Sequence, residues 1–88
     1  MEKKKRPMAV IPAEEKDYAE MFEDMLASIV DYLINQDVDD IAGRLTDGLE
    51  EAMIKLTLQR VNSNQVRASK MLGISRNTLR SKIEKFNL

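Results

Sequence analysis

The fold is decided by residues 64–86, which read Asn-Gln-Val-Arg-Ala-Ser-Lys-Met-Leu-Gly-Ile-Ser-Arg-Asn-Thr-Leu-Arg-Ser-Lys-Ile-Glu-Lys-Phe. This pattern predicts two short helices joined by a tight turn. Asn64 can cap the first helix, because its side chain accepts hydrogen bonds from backbone N–H groups without helical partners. Gly73 can end that helix, because glycine enters the left-handed region without a Cβ penalty. Ser75 can cap the second helix, and the intervening turn has the length found in helix-turn-helix units.

The two predicted helices carry the residues that a close crossing requires. Ala68 and Ser69 are small where the helices must approach each other. The apolar residues expected between the helices are Val66, Leu72, Ile74, Leu79 and Ile83. In the second helix Leu79, Ile83 and Phe86 recur at i, i+4 and i+7, which predicts a buried stripe.

The polar side of the second helix has the chemistry needed in a DNA major groove. Its outward residues are expected to be Asn77, Arg80 and Ser81, flanked by Thr78 and Lys85, with Arg76 in the first turn. Arginine can bond bidentately to guanine, and Ser, Thr and Asn can bond to bases or phosphates. The N-terminal residues of a recognition helix usually reach the bases. The alternative is an ordinary solvated amphipathic helix.

The net charge of −1 conceals a strong asymmetry. Residues 1–6 carry a net charge of +3, residues 7–61 carry −9, and residues 62–88 carry +5. A basic end on an acidic body can orient the chain on a polyanion while holding the body away from it. The division of charge therefore favours a nucleic-acid partner, which the overall charge alone would not.

Length and composition limit the remaining classes. Eighty-eight residues make one small domain, for which oligomerisation is an expected source of stability. The chain has no Cys and no His. We therefore expect no disulfide, no metal site, no cofactor, no small-molecule ligand and no enzymatic activity. No apolar run is long enough for a membrane span and no apolar signal segment follows the basic N-terminus, so we expect a cytoplasmic protein.

The N-terminal two thirds of the chain are predicted to form an arm and two long helices. Residues 1–13 contain both prolines and no helical period, which predicts a flexible arm. Residues 14–35 and 39–61 have helical apolar spacing, and Asp37 or Asp39 is expected to cap the second of these helices. Gly48 lies within the apolar stripe of the second helix and is interpreted as a place for a close crossing.

These two helices carry more apolar surface than a small monomer needs. Past residue 52 the second helix is apolar on two sides, since Ile54, Leu58 and Val61 add to its main stripe. A second subunit could cover the excess, and the alternative is core formation within one chain. The residues predicted to form a homodimer interface are Phe22, Met25, Ile29, Leu45, Leu49, Met53 and Leu56.

Several segments together resemble the Fis family of bacterial nucleoid-associated proteins. They are residues 36–40, 64–68, 71–76 and 78–82, and the resemblance runs without gaps from about Gln36 to Leu88. The Asn-Gln-x-Arg-Ala and Leu-Gly-Ile-Ser-Arg-x-Thr-Leu-Arg core is also similar to the C-terminus of NtrC-type activators.

The resemblance implies an all-α, intertwined homodimer with four helices per subunit. Two long helices within residues 14–61 would dimerise, and residues 62–88 would form the helix-turn-helix unit that binds double-stranded DNA. The paired recognition helices of the family lie closer together than successive major grooves of straight DNA, which implies sequence-tolerant binding with bending at the nucleoid. The positions expected to bind DNA are Asn64, Arg67, Ser75, Arg76, Asn77, Thr78, Arg80, Ser81, Lys82 and Lys85.

Within that set the family suggests distinct roles, and the chain also departs from the family pattern. Asn64, Arg67 and Thr78 resemble phosphate-contacting positions, whereas Ser75, Arg76 and Arg80 resemble positions at the floor and edge of the groove, with Lys82 and Lys85 on the flanks. Val66 replaces a hydroxyl residue of the family, and Ser81 and Glu84 each replace a lysine.

Two alternatives to a Fis-type protein remain open at this stage. One is the DNA-binding domain of an NtrC-type activator, and the other is a helical protein-interaction module.

Overall fold

A computed structural model of the chain describes residues 18–88. Within these residues it contains four helices and no strand, which confirms the all-α prediction. The helices are α1 (Tyr18–Asn35), α2 (Ile41–Arg60), α3 (Gln65–Leu72) and α4 (Arg76–Phe86). The predicted ends of the two long helices agree with these bounds to within two residues wherever they can be compared. The arm predicted for residues 1–13 and the predicted helix start at residue 14 lie outside the described residues.

The chain divides into two units, residues 1–39 and residues 40–88. In the first, α1 ends because Asp37 adopts a left-handed conformation with φ 56°. The backbone N–H of Val38 then donates to the carbonyl oxygen of Leu33 at 3.1 Å, which satisfies a carbonyl left without a partner at the helix end.

The cap of α2 is Asp40, so the prediction of Asp37 or Asp39 is wrong. The Asp40 carboxylate accepts from the backbone N–H of Gly43 at 3.1 Å. Asp40 is itself left-handed, with φ 54°. A Cβ at residue 43 would overlap the Asp40 carboxylate, so the close approach of this cap depends on glycine. Three aspartates lie within residues 37–40, and which of them caps α2 depends on where the first helical turn begins.

A left-handed residue follows each of the four helices. These residues are Asp37, Asn62, Gly73 and Asn87, with φ between 53° and 77°. Aspartate and asparagine tolerate this conformation better than most residues with a Cβ. After α2, the N–H of Ser63 donates to the carbonyl of Leu58 at 2.8 Å, and after α4 the N–H of Leu88 donates to that of Ile83 at 2.9 Å. The chain therefore uses one type of helix end repeatedly, with glycine at only one of the four positions.

The core of the second unit lies where α2, α3 and α4 meet. Its buried apolar residues are Ile54, Val61, Ala68 and Leu79, and Leu58, Leu72, Ile74, Ile83 and Phe86 pack against them. Ala68 and Ser69 are both buried, as predicted for a close helix crossing. The Ser69 hydroxyl donates to the carbonyl of Val66 at 3.0 Å, so its polar group is satisfied inside α3.

One sequence-based expectation about packing is wrong, and a second has no counterpart among the described residues. Val66 was expected between the helices, but its side chain is 55% exposed, because helical periodicity places it on the side of α3 away from Ala68. Gly48 was expected at a close crossing, but among the described residues nothing lies within 4 Å of the position its Cβ would occupy.

The two apolar sides of α2 have different environments. The side containing Ile54, Leu58 and Val61 is covered by α3 and α4 of the same chain. Three residues of the main stripe, Leu49, Met53 and Leu56, are instead 40%, 45% and 50% exposed. At about 100° per residue the two sets lie on opposite sides of the helix. Part of the stripe predicted for dimerisation is thus on the side of α2 that the described residues leave uncovered.

Candidate nucleic-acid interface

The turn between α3 and α4 is fixed by local hydrogen bonds that the sequence predicted. The Asn64 side-chain oxygen accepts from the N–H of Arg67 at 3.1 Å and caps α3. Gly73 ends α3 with φ 77°, and the N–H of Ile74 donates to the carbonyl of Ser69 at 3.1 Å. Ser75 caps α4 by accepting from the N–H of Thr78 at 3.0 Å. These bonds confirm the predicted caps and the three-residue turn.

The orientation of α4 follows from its buried stripe. Leu79 is completely buried, and Ile83 and Phe86 pack against the same core. The opposite side of the helix therefore faces solvent, and Asn77, Arg80 and Ser81 are all exposed there. Arg76 in the first turn is exposed as well.

Of the ten positions predicted to contact DNA, all but Lys82 are exposed in the single chain. The exposed nine are Asn64, Arg67, Ser75, Arg76, Asn77, Thr78, Arg80, Ser81 and Lys85. The Ser75 hydroxyl donates to the Thr78 hydroxyl at 2.9 Å, so these two side chains already support each other at the start of α4. They combine a capping role with a position at the surface.

Lys82 and Lys85 face α2 and form ion pairs with its carboxylates. The Lys82 Nζ lies 3.1 Å from Glu50 Oε1, with the two side chains 27% and 31% exposed. The Lys85 Nζ lies 3.6 Å from Asp47 Oδ1 and 5.2 Å from the centre of the Phe86 ring. Sequence reasoning missed Asp47 and Glu50 as partners of α4. The only signal available was the matching spacing of three residues between the acids and between the lysines.

The departures from the family pattern also lie at the surface. Val66, Ser81 and Glu84 are exposed, so none of the three replacements is required by the core. Glu84 is the single acidic residue after residue 61, and it lowers the positive charge of the outward side of α4.

Other kinds of site receive no support from the part of the chain that the structure describes. Between residues 18 and 88 no cluster of three or more acidic side chains is placed to hold a metal ion. Over the same residues no helix combines the length and the apolarity needed to cross a membrane.

Caps, turn, close helix crossing and exposed basic side together define α3 and α4 as a helix-turn-helix unit. Comparison with known proteins assigns this unit to a family. Residues 48–86 match the model of the bacterial regulatory proteins of the Fis family. The resemblance to the Fis family seen in the sequence is thus confirmed for this part of the chain.

Relatives with longer matches carry the same family name. The chain is 36% identical over 63 residues to the DNA-binding protein Fis of Histophilus somni, covering 72% of this chain and 64% of that protein. It is 39% identical over 56 residues to the DNA-binding protein Fis of Haemophilus influenzae strain PittEE, covering 64% of this chain and 57% of the relative. The protein of the same name from Proteus mirabilis is 36% identical over 56 residues, with the same coverage of 64% and 57%.

The chain thus spans less than two thirds of the length of these curated relatives. No solved structure matches it significantly.

Proposed function

We propose that this protein is a Fis-type regulator or nucleoid-associated factor that binds and bends double-stranded DNA as a homodimer. The observation that carries the proposal is the exposed side of α4. Arg76, Asn77 and Arg80 are presented to solvent by a helix whose other side is fixed by buried Leu79. Arginine and asparagine are the side chains best suited to read guanine and adenine in the major groove.

The surrounding residues supply the contacts that would position α4 on DNA. Asn64 and Arg67 lie in the first turn of α3, where backbone and side-chain donors commonly contact phosphate. In this proposal Asn64, Arg67, Thr78 and Ser81 lie beside the DNA backbone, whereas Ser75, Arg76, Asn77 and Arg80 lie at or near the base edges. Binding would tolerate many sequences where the backbone contacts supply most of the affinity, because phosphate contacts carry no base information.

The homodimer is proposed from the uncovered side of α2. Leu45, Leu49, Met53 and Leu56 form a continuous apolar stripe that the rest of the described chain does not bury. A second copy of the chain would remove this stripe from water, together with Phe22, Met25 and Ile29 of α1. Full burial of an exposed side chain of this size contributes about 1.5–3 kcal/mol, and these half-shielded residues would each contribute roughly half of that, so a symmetric pair of stripes favours a dimer.

The functional parts of the chain follow from these two surfaces. Residues 14–61 would dimerise, and residues 62–88 would bind DNA. In this arrangement α2 has two roles, because one side holds the helix-turn-helix unit and the other meets the partner. A protein that acts on chromosomal DNA would work in the bacterial cytoplasm, at the nucleoid.

The extent of similarity favours a Fis protein over the DNA-binding domain of a longer activator. A match of 63 residues in an 88-residue chain must include residues 26–63, and hence the end of α1 and all of α2. The helix-turn-helix unit shared with activators begins only after α2. The aligned region therefore includes the end of α1 and all of α2, which supports a dimeric Fis-type protein.

Electrophoresis of complexes with circularly permuted DNA tests the proposal. The binding sequence is first selected by the protein itself from a random-sequence duplex pool, and is then moved along a fragment of constant length. We expect a retarded complex whose mobility is lowest when the site is central, because a bend there shortens the end-to-end distance most. Mobility independent of site position would contradict bending, and the absence of any complex at low salt would contradict DNA binding.

A further inference from the structure

We infer that Lys82 is a positioning residue whose charge is committed to Glu50, so that it aligns α4 for DNA instead of neutralising a phosphate. The inference rests on the proposed function and reverses the role that sequence similarity suggested for this lysine. It also assigns Glu50, a residue on α2 outside the helix-turn-helix unit, to the DNA-binding machinery.

The geometry of the contact is the first argument. The Lys82 Nζ lies 3.1 Å from Glu50 Oε1, across 32 residues of sequence. Both side chains are about 70% shielded from solvent, at 27% and 31% exposure. Water screens such a pair less than it screens a fully exposed one, so the pair competes well with a phosphate for the ammonium group.

A second ion pair follows the same arrangement. Lys85 lies beside Asp47, so the acids on α2 and the lysines on α4 are each three residues apart. Three residues are nearly one helical turn, so each pair of side chains lies along one edge of its helix. The residue order is reversed between the helices, as it must be where two edges run antiparallel. Two ion pairs between α4 and α2 resist rotation of α4 about its own axis better than one ion pair does.

The position of this edge on α4 gives the contacts their function. At about 100° per residue, Lys82 lies some 60° to one side of Leu79, and Arg80 lies some 100° to the other side. Arg76 shares the side of Arg80. Fixing the lysine edge against α2 therefore adds to the buried stripe in setting the direction in which Arg76 and Arg80 point, while Lys82 itself faces the protein.

Five substitutions separate alignment from phosphate contact. Lys82→Gln removes the ammonium group, Glu50→Gln removes only its partner, and Glu51→Gln makes the same charge change at the neighbouring exposed acid of α2. Arg67→Gln removes one positive charge at a proposed phosphate contact and is the positive control for counterion release. Lys82→Arg keeps the ion pair and is the conservative rescue.

The first measurement is the dependence of affinity on salt. Each phosphate that a protein neutralises contributes about 0.9 to the slope of log affinity against log salt concentration. Arg67→Gln should therefore reduce the magnitude of the slope by about two in a dimer. Lys82→Gln should leave the slope unchanged, and Glu50→Gln, which releases the ammonium group, should have a slope at least as steep as that of Glu51→Gln. A reduction of about two in Lys82→Gln would overturn the inference.

The second measurement is the ratio of affinities for a duplex selected by the wild-type protein and for an unselected duplex. Misalignment of Arg76 and Arg80 weakens base contacts, whereas loss of a phosphate contact weakens binding to all sequences alike. Lys82→Gln and Glu50→Gln should each lower the ratio by roughly three- to five-fold, the upper range for a partly exposed ion pair. Glu51→Gln and Lys82→Arg should retain it. An unchanged ratio in Lys82→Gln would refute the positioning role.

Thermal unfolding without DNA distinguishes failure of this inference from failure of the proposed function. If the two side chains interact, the double variant Glu50→Gln with Lys82→Gln should unfold at a higher temperature than the sum of the two single losses predicts. Strict additivity would remove the ion pair from the protein in solution, whether or not the protein binds DNA. Conversely, absence of DNA binding by the wild-type protein would reject the proposed function and leave this coupling intact.

Discussion

At the scale of single residues, the helix-turn-helix unit depends on a few positions with exact conformational requirements. Gly73 has φ 77° and ends α3, and beyond its chain neighbours no atom of the described residues lies within 4 Å of the position of its missing Cβ. The requirement for glycine at this position is therefore set by the backbone conformation and not by crowding. The three other left-handed helix ends carry Asp or Asn, residues whose short polar side chains make this conformation less costly.

Gly73→Ala should destabilise the protein by about 1–2 kcal/mol, which is the cost of a Cβ in the left-handed region. Gly73→Asn should cost less, because asparagine already occupies this conformation after α2 and α4. Chemical denaturation of the three proteins measures the difference. Equal losses for Ala and Asn would point to a steric clash at this position, contrary to the open space that surrounds it.

At the scale of secondary-structure elements, α4 separates its stabilising residues from its proposed binding residues. Leu79 is completely buried, whereas its neighbour Arg80 is exposed. Two consecutive residues of α4 therefore lie in the core and on the surface. Substitutions at these two positions should fail in different ways.

Leu79→Ala should lower the free energy of unfolding by about 2–5 kcal/mol, because it leaves a cavity in the core of the unit. Arg80→Ala should change stability by less than about 0.5 kcal/mol but weaken binding to a selected duplex by roughly 1–3 kcal/mol. Arg76→Ala should behave like Arg80→Ala. Thermal unfolding and gel shift at one fixed salt concentration separate the two effects. Wild-type affinity in Arg76→Ala or Arg80→Ala would remove that residue from the proposed interface.

The same scale shows which parts of the structure the sequence could predict. Asn64, Gly73 and Ser75 were predictable because each acts on backbone groups within five residues of itself. The pair of Lys82 and Glu50 was not, since it joins residues 32 positions apart and depends on how α4 crosses α2. Val66 is apolar and close to a helix start, which suggests a core residue, but its angle around α3 places it on the exposed side.

The candidate site was likewise predictable where it depends on local sequence and not where it depends on contacts between helices. The outward side of α4 followed from the spacing of Leu79, Ile83 and Phe86, which needs only helical periodicity. The ion pairs of Lys82 and Lys85 with α2 depend on tertiary structure, so the sequence alone did not show that these two lysines have partners other than DNA.

At the scale of the whole molecule, the exposed stripe on α2 and the basic surface of α3 and α4 are held together by the core that these three helices share. Dimerisation through Leu49, Met53 and Leu56 would therefore fix the distance between two DNA-binding units. That distance, more than any single side chain, would determine whether DNA must bend to meet both.

Leu49→Asp or Met53→Asp should dissociate the dimer and unfold it in the same concentration range, because a buried carboxylate would have no partner. Lys55→Asp introduces an acid at an exposed position of α2 and is the control, with the dimer retained. Light scattering and circular dichroism at micromolar concentration follow mass and helicity together. A stable, folded monomer in the wild-type protein would contradict the homodimer.

DNA affinity should depend strongly on salt, but less than the count of basic residues suggests. After residue 61 each chain has six basic residues, and two of these are paired with α2. If both stay paired on DNA, four remain, namely Arg67, Lys70, Arg76 and Arg80, so a dimer then has at most eight for DNA. If half to all of them contact phosphate, the slope of log affinity against log salt should lie between about −4 and −7. Deleting residues 1–6 tests whether the basic arm adds to it, since an arm that contacts DNA would make the full-length slope steeper by several units.

Glu84→Lys provides the complementary gain-of-charge test of the same surface. Glu84 is exposed on the outward side of α4, at a position where the family carries lysine. Lysine there should tighten binding to all sequences alike and steepen the slope by about two in a dimer, because phosphate contacts carry no base information. Glu51→Lys makes the identical charge change on α2 and should steepen the slope much less, since that residue lies outside the DNA-binding unit. Filter binding of selected and unselected duplexes across a salt series measures both quantities. Equal effects of the two substitutions would mean that net charge alone sets the affinity, and that the outward side of α4 does not face the DNA backbone at Glu84.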